Sequence, residues 1–169
     1  MDRVYVDLPL SSDSLKGIRD YWMSLRGSRK MPTRPEFDPT AIVRHLPYVT
    51  LVDVFEAPLR FRYRLIGTGI TELADRDVTG KWLDEGLYGE KTEDILWAYK
   101  KCVTEKQPIA VREQVQFVEK TWFTIDVILL PFGDSDGNIN VILGALDLTA
   151  GGAETPGIKR SYILNWEAT

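Results

Sequence analysis

Residues 60–85, RFRYRLIGTGITELADRDVTGKWLDE, restrict the fold more than any other stretch of the chain. They open with strict alternation: Phe61, Tyr63 and Leu65 fall on one side, Arg60, Arg62 and Arg64 on the other. That is the period of a half-buried strand. The alternation stops at Gly67 and Gly69, and the apolar spacing that follows suits only one or two helical turns before Gly80 interrupts. Fragments this short are not stable alone, because the cost of nucleating a helix is not recovered over so few residues. Packing must hold them, with Leu73, Val78, Trp82 and Leu83 as the inward residues. One straight helix on a sheet would fill the space beneath it. Broken turns leave a concavity, and a concave apolar space is where a small molecule binds.

The surrounding pattern sets the sheet. YVTLVDVF, from Tyr48, is rich in β-branched and aromatic residues and reads as a strand. EAPL turns it into the arginine-bearing strand as a hairpin. EKTEDILWAYKKCVTEK carries acids in its first turn and lysines later, which matches a helix dipole. Its inward face is Ile95, Tyr99, Cys102 and Val103, widened by Leu96 and Trp97. Three strands then complete a meander. PIAVREQVQFV turns at Glu119-Lys120 into TWFTIDVILLPF, and GDSDGN turns that strand into INVILGALDLT. The fold class is therefore α+β: a five-stranded antiparallel sheet, with short helices and one longer helix packed on one face.

Flanking segments complete the organisation. SSDSLKGIRDYWMSLRG has a capping residue at Ser12 or Asp13, an apolar stripe of Leu15, Ile18, Trp22 and Leu25, and a stop at Gly27. Three prolines in the next segment exclude regular structure there, and Asp38-Pro39 opens a short helix. This divides the chain into a helix and proline-rich linker (1–35), a central domain (36–149) and a tail (150–169) that turns apolar again at Tyr162–Trp166.

Composition narrows the function. At 169 residues the chain has the length of one domain with attachments. A net charge of −4 argues against nucleic acid, whose binders present a basic face. The longest apolar run, VILLPF, is too short to span a bilayer, and the first residues lack the charge and apolar core of a secretory signal. One cysteine, Cys102, allows no intrachain disulfide, and the expected location is the cytoplasm.

The chemical candidates are few. His45 is the sole histidine, so a histidine-rich metal site is excluded. GTGITE lacks the glycine spacing and the lysine of a phosphate loop. No nucleophile and base can be paired. Glu113 stands out, because it shares the apolar face of its strand with Ile109, Val111, Val115 and Phe117. A carboxylate there is costly unless it is paired. It can anchor a ligand's polar group or pair with an arginine at a strand edge. Tyr63 places a hydroxyl on the apolar face of its own strand, and Trp82 and Trp97 are further candidates for lining the concavity, with core packing as the simpler role for each.

The order of elements, with the stretches MPTRPEFDPTAIVRHLPYVTLVDV, RFRYRLIGTGI and DRDVTGKWLDE, resembles the PAS family, and within it a subfamily of small stand-alone bacterial proteins. The resemblance covers residues 31–149. It implies a non-catalytic sensory module that binds a small ligand between sheet and helices and signals through protein contacts. The ligand-binding residues would be Tyr63, Trp82, Trp97 and Glu113, with no catalytic or metal-binding residue. It implies dimerisation through a flanking helix as well, and the apolar stripe of residues 15–25 needs cover that a second copy can supply. The other partner would be a signalling protein. Two alternatives stand beside this reading: an adaptor whose pocket is filled by its own tryptophans and leucines, and a small enzyme using Glu113 as acid or base. The sequence departs from the cofactor-bearing relatives. DRDVTGKWLDE lacks the reactive cysteine of the flavin photosensors, and the long helix lacks the histidine of the haem sensors. Cys102 is the one residue of that helix able to ligate iron, and a core role suits it better. No cofactor is assigned.

Overall fold

The computed structural model describes residues 2–116, 122–148 and 160–168. One seven-stranded sheet organises the chain: β1 (Asp2–Pro9), β2 (Val49–Phe55), β3 (Arg60–Ile66), β4 (Ile109–Gln116), β5 (Trp122–Gly133), β6 (Ile139–Asp147) and β7 (Arg160–Asn165), in the spatial order β1-β7-β4-β5-β6-β2-β3. All neighbours are antiparallel except β1 and β7, which run parallel. The five expected strands are present in the middle and at one edge. The correction is at the other edge. There the two ends of the chain add a strand each, β7 on β4 and β1 on β7. The turn expected at Glu119-Lys120 lies outside the described residues, as does Phe117. The Asp136-Gly137 turn is present, with Gly137 at φ 80° and the Asp134 carboxylate accepting from the amides of Asp136 and Asn138.

Helices cover both faces of the sheet. Helix α1 (Asp13–Arg26) starts at Ser12, whose hydroxyl accepts from the Leu15 amide at 3.1 Å, and stops at Gly27 in a positive-φ conformation. Its stripe of Leu15, Ile18 and Trp22 is buried against β5 and β6 of its own chain. The Trp22 indole donates to the Pro131 carbonyl at 2.8 Å and meets Trp166 edge-on at 6.0 Å. The stripe therefore gets its cover from within the chain and needs no second copy. Arg19, almost fully buried on the same helix, donates to the carbonyls of Trp166 and Ala168 and so ties the C-terminal end to α1. Phe37 continues this layer by packing on Phe132. A 3-10 segment, Pro39–Tyr48, kinked at Ile42, then leads into β2.

The opposite face carries α2 (Thr68–Ala74), α3 (Glu85–Tyr88) and α4 (Thr92–Glu105). The two glycines of the break are there for close packing. A Cβ on Gly67 would lie 2.3 Å from the carbonyl oxygens of Leu46 and Pro47, and one on Gly69 would lie 2.7 Å from the Tyr48 ring. Only glycine lets α2 sit this close to the segment before β2. A bulge between Leu51 and Val52 changes the register on β3. Phe61 and Tyr63 face inward as expected, but Leu65 pairs with Leu51 and turns out, and Ile66 takes the inward place. No helix among the described residues is long and apolar enough to cross a membrane.

Candidate functional site

Between α2, α3 and α4 on one side and the sheet on the other lies a cavity of about 410 Å³. This is within the usual range for small-molecule sites, roughly 300–1,000 Å³. Its apolar wall comes from alternate residues of the central strands, among them Val111, Ile125, Val127 and Leu129, and from Ile66, Ile95 and Ala98. Small residues keep it open. Ala98 faces the sheet from the long helix, and Gly144 lies opposite Thr50, whose hydroxyl a Cβ would meet at 2.6 Å.

Polar groups reach this wall at a few points. The Tyr63 and Tyr88 hydroxyls hydrogen-bond each other. Tyr99 hydrogen-bonds Thr50, and burial raises its phenol further above the ordinary range. Burial does the same for Tyr63, reinforced by Tyr99 and Tyr88, so both phenols stay neutral. Arg76 and Lys91 stand exposed at the rim. Glu113 lines the cavity from β4, opposite Ile125. The Ser161 hydroxyl of β7 donates to it at a long 3.3 Å, and Trp97 is a second hydrogen-bonding neighbour. Burial pushes its carboxyl above the usual range. Hydrogen bonding from Ser161 and Trp97 and the charge of Arg3 oppose this, and Asp94 adds to it.

The four residues singled out from sequence separate into three places. Tyr63 and Glu113 are brought together in the cavity wall. Trp97 is not in the wall. It sits behind Glu113 with the Arg3 guanidinium 4.6 Å from its ring centre, and Arg3 also bridges to Asp94 at 3.2 Å. Trp82 faces away from the cavity. Residues 80–83 pair with β3 as an edge, Gly80 donating to Tyr63 and Leu83 to Phe61. Trp82 thereby lands on the outer face, packed between Phe55 at 5.2 Å and Arg60 at 3.6 Å. Leu83 and Val78 do point in. The arginines of β3 are occupied on that outer face: Arg64 and Arg62 reach Asp53 at 2.7 and 3.8 Å. Sequence reasoning missed Tyr88, Tyr99 as a wall residue, and Arg3. Tyr99 was visible as a member of the inward helical face, whereas Arg3 required knowing that β1 joins the sheet.

Cys102 is buried, is not among the lining residues, and burial pushes its thiol up, away from the thiolate that iron ligation needs. His45 lies on the opposite side of the sheet, near Ser14 and Asp147.

The model of the PAS domain family matches residues 10–147. The chain belongs to the PAS domain family. A solved structure of Vibrio cholerae VqmA gives a TM-score of 0.50 at 11% identity over 64% of this chain and 48% of VqmA. A light-oxygen-voltage domain studied with a flavin analogue gives 0.49 at 13% identity over 68% of this chain and 84% of that one. The Rhodobacter sphaeroides LOV protein gives 0.47 at 15% identity over 62% and 60%. The chain thus spans about half the length of the VqmA chain. At 11% identity the likeness to VqmA is one of fold alone. No curated protein matches this sequence. The matched span contains β2 to β6 and leaves out β1 and β7, which add to the sheet at the β4 edge.

Proposed function

We propose that this PAS domain is a non-catalytic, cytoplasmic sensory module that binds a small molecule between its sheet and its helices and reports occupancy through protein contacts. The observation that carries the reading is the cavity of about 410 Å³, walled by the sheet and by α2, α3 and α4. The adaptor alternative needs that space packed by the chain's own tryptophans and leucines. Leu129 and Leu146 line it and leave about 410 Å³ open, and among the described side chains no tryptophan is in its wall.

The terminal strands supply a route for the signal. β1 holds the cavity's helical wall through Arg3 on Asp94 and Trp97, and β7 reaches the sheet wall through Ser161 on Glu113. A ligand that engages Glu113 competes with these contacts and loosens the β1–β7 edge. Such a shift requires only that the ligand bind the released state better than the clasped one. The receiver of the signal is a separate signalling protein or a second copy of the chain. The exposed Val4, Tyr5 and Leu8 of β1 provide an apolar surface at that edge. The acidic net charge supports a protein receiver over nucleic acid.

A thermal-shift screen of a metabolite library tests the proposal, run on the full chain and on Ala98→Trp, whose indole fills the cavity. A ligand at one hundred times its Kd stabilises the folded state by about 2.7 kcal/mol. Compounds that stabilise the wild type and leave the variant unmoved support the reading. A library that stabilises neither protein contradicts it.

A further inference from the structure

We infer that the ligand of this cavity presents a hydrogen-bond donor, an N–H or O–H on an otherwise apolar body, to the carboxylate of Glu113. The inference rests on the ligand-binding reading above and specifies its chemistry. An ionised carboxylate offers about four acceptor sites. Asp126, one strand over on the other face, fills its own with Arg112 Nε at 2.7 Å, Arg112 Nη2 at 2.9 Å and Ser11 Oγ at 3.1 Å. Glu113 has a long hydrogen bond of 3.3 Å to Oε1 from Ser161 and hydrogen bonding from Trp97, which leaves it short of the four. The remaining acceptor capacity borders a cavity whose wall on Glu113's own strand and the neighbouring β5 is Val111, Ile125, Val127 and Leu129. Arg3, the nearest guanidinium acting on it, is spent on Asp94 and Trp97. A buried acceptor among aliphatic side chains costs free energy unless a donor arrives. No other residue of the wall supplies that donor, so the ligand does.

The apolar wall sets the rest of the molecule. The strand wall beside Glu113 is aliphatic, Tyr63, Tyr88 and Tyr99 add ring surface, and the cations Arg76 and Lys91 stand at the rim. This favours a planar, neutral ring system over a sugar or a polyanion.

Indole and benzofuran make the test. They are nearly isosteric, and only indole carries a ring N–H. The full chain is titrated with each, followed by calorimetry, and the pair is repeated on Glu113→Leu and Glu113→Gln. The expected result is that indole binds about tenfold more tightly than benzofuran, as one buried hydrogen bond to a charged acceptor predicts. The preference shrinks in Glu113→Gln, which keeps a carbonyl acceptor, and disappears in Glu113→Leu. Equal affinity of the two compounds for the wild type overturns the donor inference while leaving the cavity a ligand site. Binding of neither compound also overturns it, and the library screen then decides separately whether the cavity binds anything. Should either variant fail to fold, the wild-type ratio alone decides.

Discussion

Asp126 and Glu113 sit on neighbouring strands of one sheet, facing opposite ways, and their surroundings differ in kind. Asp126 is fully buried and held by a bidentate arginine and a serine, which is how a structural acid is made tolerable. Glu113 is partly buried, with a long hydrogen bond from Ser161 and hydrogen bonding from Trp97, and it borders an apolar hollow. The same contrast runs through the two faces of the sheet. The outer face is closely packed under α1 and the segment after it, with Ile128, Leu130, Phe132 and Trp22 at or below 1% exposure, and keeps a smaller hollow of about 260 Å³ beside His45. The inner face leaves about 410 Å³. One face is the main packing layer, and the other keeps the larger hollow.

The largest expected effect is on the satisfied acid. Arg112→Met strands Asp126 without its partner and should cost about 3 kcal/mol in urea unfolding, the usual range for breaking a buried pair from one side. Glu113→Leu should cost nothing comparable, because it removes an acid whose burial is poorly compensated. Comparable losses at both positions would erase the contrast.

Packing gives the next effect. Ala110 is fully buried on the outer face of β4, between Ile128 and Leu164. Ala110→Leu overpacks it and should destabilise by about 2 kcal/mol. Ala98→Leu puts the same atoms into the cavity and should cost under about 1 kcal/mol, with loss of ligand binding. Chemical denaturation of the two variants side by side measures the difference.

Arg3→Ala comes third. It removes an exposed ion pair and a stacking contact with Trp97, worth about 0.5–1 kcal/mol together. Its clearer sign is faster hydrogen exchange in β1, with the outer-face strands β5 and β6 unchanged. The smallest effect is in the pH dependence. The Glu113 carboxyl is raised by burial in the folded state, so folding shifts it toward protonation relative to the unfolded chain. Its contribution to stability is fully present below the unfolded carboxyl range and is lost as pH rises through the folded value. Wild type minus Glu113→Gln should therefore gain stability as pH is lowered from neutral. A difference that falls on acidification would mean that Glu113 is held as a paired anion, like the acid on the other face.

Much of this was legible in the sequence, and the failures have physical causes. Alternation marked β2 to β6 and put Glu113 on an apolar face, since side chains in a strand repeat every second residue. The helical spacing of Ile95, Tyr99 and Cys102 marked the inner face of α4. Leu65 was misplaced because a bulge adds one residue and flips the rest of the strand. Trp82 was misplaced because residues 80–83 pair with β3 as an edge instead of coiling into a helix, and that pairing depends on tertiary contact. β1 was not legible at all. Asp2–Pro9 is short and its partner β7 begins at Arg160, so nothing local to either segment announces the other. The position of Trp97 behind Glu113, clasped by Arg3, follows from that same unseen pairing.

The most direct measurement is a methyl-resolved NMR titration of the full chain with indole. The account predicts saturable shifts at the methyl groups of Ile95, Val111, Ile125 and Leu129, which line the cavity from both sides, with Ile18, Ile128 and Leu130 on the outer face left unmoved. Shifts confined to the outer face, or none at saturating indole, would contradict it.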